Sequence, residues 1–146
     1  MDKNILLLVN RLEHGFILLN YFNNNIKNKK IYFIRGEVEV DERDKIKQLM
    51  EEEDNILCIA ITKIFSTGIN IKNLHNIILA SGGKSSVTVV QSIGRGLRLH
   101  PSKKELSIFD ICDKGFKYSS EHANKRLRIY ETEKIKVAET NIILRT

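Results

Sequence analysis

Short apolar runs punctuate the first three quarters of the chain, and each stops at a polar or glycine-bearing turn. Ile5-Leu6-Leu7-Leu8-Val9 halts at Asn10, and Lys30-Ile31-Tyr32-Phe33-Ile34 halts at Arg35-Gly36. Ile56-Leu57-Cys58-Ile59-Ala60-Ile61 runs into Thr62-Lys63, Asn76-Ile77-Ile78-Leu79-Ala80 into Ser81-Gly82-Gly83, and a fifth run spans Leu106 to Cys112. A continuous apolar run, with no alternation, is what a strand buried on both faces of a parallel sheet requires. Between the runs the apolar spacing lengthens to that of helices. One is predicted from Glu13 to Ile26 with Phe16, Ile17, Leu19 and Phe22, and one from Asp41 to Glu51 with Asp41 as the cap and Arg43, Ile46 and Leu49 along it. Two more are predicted from Val87 to Leu99 and from Phe116 to Glu133. The last has Phe116, Ala123, Leu127 and Tyr130 on its buried stripe and Lys125, Arg126 and Arg128 on its other face. Ile135 to Leu144 alternates well enough for a terminal strand. The alternation of strand and helix predicts an α/β fold, a parallel sheet flanked by helices.

Composition narrows the class. The 146 residues suffice for one domain with a real core. With 42% hydrophobic and 29% charged residues the chain is globular and not disordered. No run approaches the roughly 18 apolar residues of a membrane span, and Met1-Asp2-Lys3 leads straight into a strand, so a cytoplasmic location is expected, without membrane contact. Cys58 and Cys112 sit in apolar runs, as buried reduced thiols do. A net charge of +6 favours a polyanionic partner, although lysine-rich surfaces also serve solubility alone. The cations Arg11, Arg35, Lys63, Lys84, Arg95 and Arg98 fall in or near candidate phosphate-binding turns.

The stretch with the clearest chemistry is Gln91-Ser92-Ile93-Gly94-Arg95-Gly96-Leu97-Arg98. On a helix, Gln91, Gly94, Arg95 and Arg98 share one face at offsets of three, four and seven. An amide, a bare backbone patch and two guanidinium forks on one face can meet a phosphate accumulating charge. Two glycines cost roughly 1 kcal/mol each in a helix, which implies close backbone approach on that side. The bland alternative is an arginine-rich solvated face.

Gln-x-x-Gly-Arg-x-x-Arg resembles motif VI of superfamily 2 helicases and translocases. Their second RecA-like lobe lends arginine fingers to an ATP held mainly by the first. The resemblance covers roughly residues 5 to 113 and is strongest to phage branch-migration helicases of the UvsW type. It implies a RecA-like lobe, that is, a P-loop-NTPase-like fold without its own P-loop. Within that likeness Arg95 and Arg98 stabilise charge in the transition state, Gln91 touches the γ-phosphate or its attacking water, and Gly94 allows close approach. Thr62 to Asn70 resembles motif V. Thr62 offers a hydroxyl to a backbone phosphate, Gly68 permits an unusual φ, and Asn70 stands near the ribose where many relatives have aspartate. Asparagine cannot act as a base, so only positioning carries over to Asn70. Asn10, Arg11 and His14 resemble the motif IV loop that approaches nucleic acid, His14 fitting an ordinary surface histidine equally well. Arg35 and Gly36 resemble the strand-end pair that touches the nucleic-acid backbone, and Arg43 matches a basic residue in the next helix.

Gly83-Lys84-Ser85 imitates a Walker A ending, but the first glycine of G-x-x-x-x-G-K-S is replaced by Ile78 in mid-strand. Too few amides remain to surround a β-phosphate, and Lys84 reads as a nucleic-acid or surface contact. No P-loop lysine and no Asp-Glu pair follows an apolar strand, so the arginines make half a site. The expectation is the C-terminal motor lobe of a longer ATP-dependent DNA helicase or translocase. Its ATP and Mg²⁺ are held mainly by an N-terminal RecA-like lobe, in cis or in trans, and its substrate is DNA, branched DNA included, or RNA. Residues 1–113 form the lobe, and 114–146 add the basic helix and terminal strand on the same domain. The competing expectation is a stand-alone, non-catalytic nucleic-acid-binding or regulatory module. A Rossmann-type enzyme lacks the glycine fingerprint after its first strand.

Overall fold

A computed structural model describes residues 3–35, 39–99 and 106–144; at position 39 and from 94 to 99 the description extends to the backbone only. Five strands, β1 (Ile5–Val9), β2 (Lys30–Ile34), β3 (Ile56–Ile61), β4 (Asn76–Leu79) and β5 (Ser107–Asp110), form one parallel sheet in the order β2-β3-β1-β4-β5. Helices α1 (Leu12–Asn25), α2 (Glu39–Glu52), α3 (Lys84–Leu99) and α4 (Lys117–Thr132) connect and follow them, with a 3₁₀ turn at Thr62–Phe65. The α/β expectation is met.

Alternate residues of the central strands feed two cores. Leu6 and Leu8 of β1 join Cys58 and Ala60 of β3, Ile77 and Leu79 of β4, and side chains of α2, α3 and α4. Leu7 and Val9 join Leu57 and Ile59 beneath Leu18, Leu19 and Phe22 of α1. Every β1 side chain after Ile5 is buried, which is why the strand reads as an unbroken apolar run. The chain leaving β1 turns to one face, and the chains leaving β3 and β4 turn to the other. The carboxyl end of β1 is therefore the switch point, where open α/β sheets place their ligands.

The amino edge is tied by Asn4, which is fully buried. Its Nδ2 donates to the carbonyls of Met50 (2.9 Å), Glu53 (2.8 Å) and Asn73 (3.1 Å), and its Oδ1 accepts from Ile56 N (3.0 Å). One amide thus joins the start of β1 to the end of α2, the start of β3 and the approach to β4.

Four expectations change. Helix α2 begins at Glu39, so Asp41 lies within the first turn, where its charge suits the helix dipole, and is not the cap. Helix α3 begins three residues before Val87; Gly83 turns the chain at φ +114°, and Ser86 Oγ donates back to Ser81 O at 2.6 Å, which makes a polar first turn helical. Residues 135–144 form no strand. Ile135 N donates to Tyr130 O at 2.8 Å as the chain leaves α4, and further on Lys114 Nζ donates to Glu139 Oε1 (2.7 Å) and Asn141 Oδ1 (2.8 Å); alternation without a ladder partner makes no sheet.

The fourth change is the phase of α4. Tyr130 is buried, as expected, but it is joined by Arg126 and His122, four and eight residues before it, while Phe116 and Leu127 are exposed. Arg126, expected on a basic face beside Lys125 and Arg128, is 0% exposed. Its Nε and Nη2 donate to the two carboxylate oxygens of Asp110 at 2.7 and 2.8 Å, and Tyr130 Oη donates to Asp110 Oδ2 at 2.8 Å. A smaller difference concerns the thiols: both are free, Cys58 buried and Cys112 half-buried.

Candidate functional site

The site is built from the turns that leave the carboxyl ends of the strands, and hydrogen bonds link these turns to one another. Asn10, directly after β1, donates from its backbone N to Ser81 Oγ (3.4 Å) and from Nδ2 to Gly82 O in the turn after β4. His14, in the first turn of α1, has Nδ1 3.2 Å from the same Ser81 hydroxyl. The expected motif IV residues Asn10 and His14 are therefore joined to the Ser81-Gly82-Gly83 turn, and Arg11 stands exposed beside them. Lys84, exposed, opens α3 on the far side of that turn.

The expected motif V segment meets α3. Ser92 Oγ donates to Ser66 O at 3.0 Å and to Thr88 O at 3.1 Å. Gly68 has φ +124°, a conformation that side chains rarely adopt, and a Cβ built on it would stand 3.8 Å from Ser92 Cβ. The loop thus lies against the helix one residue past Gln91, which is exposed, as is Asn70. Arg43 of α2 donates from Nη1 to Thr67 Oγ1 and secures the loop from its other side. Thr62 is placed differently from expectation. It is fully buried and its hydroxyl donates to Val9 O at 3.1 Å, so here it ties the end of β3 to the end of β1 and does not reach solvent.

Helix α3 runs unbroken through 91–98, which keeps positions 91, 94, 95 and 98 at helical spacing. The side chains of Arg95 and Arg98, like Gly36, lie outside the described residues. Arg35 is described, and it forms a cluster of its own: its guanidinium lies 4.4 Å from the centroid of Phe16 and 5.3 Å from that of Phe33. Those two rings meet edge to face at 5.3 Å. Phe33 fits only because residue 15 is glycine, since a Cβ there would sit 2.3 Å from Phe33 Cζ.

The donor set fits the end of a phosphate chain: an exposed amide on α3, a glycine loop beside it and cations at the neighbouring turns. Among the described residues no group of three or more His, Cys, Asp or Glu could hold a metal. Sequence reasoning missed Ser81 and Ser92, the hydroxyls that lace the turns together. Small hydroxyl residues carry no periodic signal, and only the strand order brings them to their partners.

This arrangement can be set beside known proteins. A family profile described as "Helicase conserved C-terminal domain" matches residues 1–100. The chain belongs to this family. Over 126 residues it is 36% identical to the ATP-dependent DNA helicase uvsW of Enterobacteria phage T4, an alignment that spans 86% of this chain and 25% of the relative. The crystal structure of T4 UvsW superposes with a TM-score of 0.63 at 32% identity, covering 90% of this chain and 29% of that one. The C-terminal part of the Fun30 ATPase domain gives a TM-score of 0.56 at 19% identity, covering 94% of this chain and 40% of that one, which speaks to fold alone. The helicase C-terminal fold and the likeness to UvsW-type helicases expected from the motifs are thereby met. The chain spans about a quarter of the length of its UvsW relative. Among the described residues no helix is long and apolar enough to cross a membrane.

Proposed function

We propose that this chain is the second motor lobe of an ATP-dependent DNA helicase or translocase. In this reading it completes a nucleotide site whose other half is an N-terminal RecA-like lobe. The observation that carries the reading is the contact between the glycine loop and α3: Ser66 and Gly68 lie against Ser92, directly beside Gln91 and one turn before Arg95. Two segments that are apart in sequence, the loop after β3 and the middle of α3, thus share one ridge.

On that ridge Gln91 and Asn70 offer amides that hold and orient, and neither can take a proton as a base. Arg95 and Arg98 supply positive charge where a leaving phosphate gains negative charge, an effect worth on the order of 10³ to 10⁵ in rate in nucleotide hydrolases. ATP, with Mg²⁺ held by the other lobe, supplies the phosphoanhydride whose hydrolysis drives the cycle. Asn10, Arg11, His14, Lys84 and Arg35 grip one nucleic-acid strand by its phosphates, Gly36 allows close approach of the backbone, and Thr62 acts from beneath by fixing the strand ends. Lobe closure on ATP and opening afterwards then advance the strand.

The test uses the two-lobe protein. Arg95→Ala and Arg98→Ala are each expected to lower DNA-stimulated ATP turnover by at least about a hundredfold while DNA affinity stays within about threefold. Salt-dependent DNA binding with ATP turnover indifferent to both changes would overturn this reading in favour of a stand-alone binding module.

A further inference from the structure

We infer that Asp110, Arg126 and Tyr130 form a clamp whose task is to position α3, and with it the arginine-bearing face, relative to the sheet. The inference rests on the motor-lobe reading. Asp110 is the last residue of β5 and lies in register with Leu79, the last residue of β4. One strand over, the chain enters the Ser81-Gly82-Gly83 turn that launches α3. Arg126 grips Asp110 with two parallel hydrogen bonds, and Tyr130 adds a third to the same carboxylate. Helix α4 thereby has its rotation and its height fixed against a strand end.

From there the constraint passes to α3 by contact. Helices α3 and α4 pack against each other, and Tyr130 belongs to the same buried cluster as Val89, Val90 and Ile93 of α3. Ile93 immediately precedes Gly94 and Arg95. At its other end α4 abuts the launching turn: Ser119 Oγ is 3.6 Å from where a Cβ on Gly82 would stand. The same helix therefore approaches both the turn that launches α3 and α3 itself.

The clamp is poorly suited to a role in stability alone. Buried ion pairs recover their desolvation cost only with excellent geometry and full hydrogen bonding, and apolar replacements of similar volume are often neutral or stabilising. Here Arg126 Nη1 is buried with no hydrogen-bond partner, so the charge is incompletely satisfied. Burial works against the Arg126 charge, and the hydrogen bonds and charge of Asp110 outweigh it, raising its pKa above the ordinary value. What an apolar contact cannot supply is directionality, because a bidentate guanidinium-carboxylate pair fixes angle as well as distance.

The experiment replaces the clamp with apolar groups in the two-lobe protein as Asp110→Leu, Arg126→Met and Tyr130→Phe together. Thermal unfolding, DNA affinity and the kcat and KM of DNA-stimulated ATP hydrolysis are then measured. The expected result is an unchanged or raised melting temperature, DNA affinity and KM within about twofold, and kcat lowered about tenfold to a hundredfold, the cost of an ångström-scale misplacement. Arg126→Lys keeps the charge but loses the fork, and it is expected to lower kcat in the same direction. If the triple variant does not fold, Arg126→Lys decides alone. Retention of kcat, or a loss of kcat that merely follows a loss of melting temperature, would overturn the inference. Arg95→Ala in the same assay separates the two claims: if it leaves turnover intact the motor-lobe reading fails, and if it abolishes turnover while the clamp variants retain it, only the clamp fails.

Discussion

Asn4→Ala tests how the amino edge of the sheet is held, and its magnitude follows from the four bonds that the side chain makes. Removing the amide leaves Ile56 N without its acceptor inside a fully buried residue. A buried unsatisfied donor costs about 1–3 kcal/mol. The carbonyls of Glu53 and Asn73 belong to half-buried residues, where water can take over, so each adds only about 0.5 kcal/mol. Met50 O keeps a second donor, Asn73 Nδ2 at 3.0 Å, and contributes little. The sum is about 3 kcal/mol, a large share of the roughly 5–15 kcal/mol that stabilises a domain. With a urea m-value of about 1–3 kcal/mol/M, the unfolding midpoint should fall by about 1–3 M at constant m. A fall of less than about 0.3 M would show that water replaces the amide without cost, and the hub would be decorative.

Asn4→Asp provides a second and sharper check on the same geometry. It keeps an acceptor for Ile56 N but turns a carboxylate oxygen toward three carbonyls. That environment raises the folded pKa of the introduced acid above its unfolded value of about 3.9. A raised folded pKa means that the folded state binds the proton more tightly, so stability is greatest below about pH 4 and is lost as pH rises from there to the folded pKa. A variant with the pH profile of the parent would contradict the assigned contacts.

Other outcomes can be checked on the same chain. Gly15→Ala should destabilise it by about 1–2 kcal/mol in chemical denaturation, because overpacking against Phe33 outweighs the gain in helix propensity, and Phe33→Leu in the same chain should recover most of the loss. Burial pushes the Cys58 thiol up to about 12, so a thiol reagent at pH 8 should modify Cys112 promptly and Cys58 only on the timescale of unfolding; equal rates would contradict the packing. The hydrogen bond and charge of Lys114 lower the pKa of Glu139, so the tether of the terminal segment is complete above the ordinary carboxylate range and loses its Glu139 arm as pH falls through the lowered value, leaving the weaker Asn141 bond. Proteolysis within residues 136–144 by an acid-active protease should accelerate over that fall, and a flat profile would refute the tether.

The sequence made the strands legible for a physical reason: burial on both faces leaves no room for polar letters, so β1 and β3 read directly as apolar runs. The glycine loop and the α3 motif were legible because helical spacing and a required positive φ at Gly68 both leave local marks. What escaped were features whose partners are distant. Asn4 is one polar letter ahead of an apolar run, and nothing local shows that it meets Met50, Glu53, Asn73 and Ile56. The inner face of α4 is only partly legible because its buried stripe joins Tyr130 to two polar residues, His122 and Arg126, and polar positions in a helical pattern ordinarily face solvent. Only the placement of Asp110 at the neighbouring strand end makes that stripe an inner face. The burial of Thr62 has a similar origin, since a hydroxyl at a strand end faces solvent or a neighbouring strand according to the sheet order, which the motif alone does not specify.

The bonds between turns also bear on how such a lobe would work. Asn10 to Gly82, Ser92 to Ser66 and Arg43 to Thr67 each join segments that follow different strands. Each is worth only about 0.5–1.5 kcal/mol net, yet together they oppose any shift of one turn past its neighbour. With the amino edge fixed by Asn4 and α4 clamped to Asp110, little within the described residues is free to slide. A motor built on this lobe would therefore place its motion between lobes, in hinge or closure movements, and keep the nucleotide-facing and strand-facing turns in a constant relation. Preorganised turns suit that division, because the transition state gains from donors that need no rearrangement when charge develops.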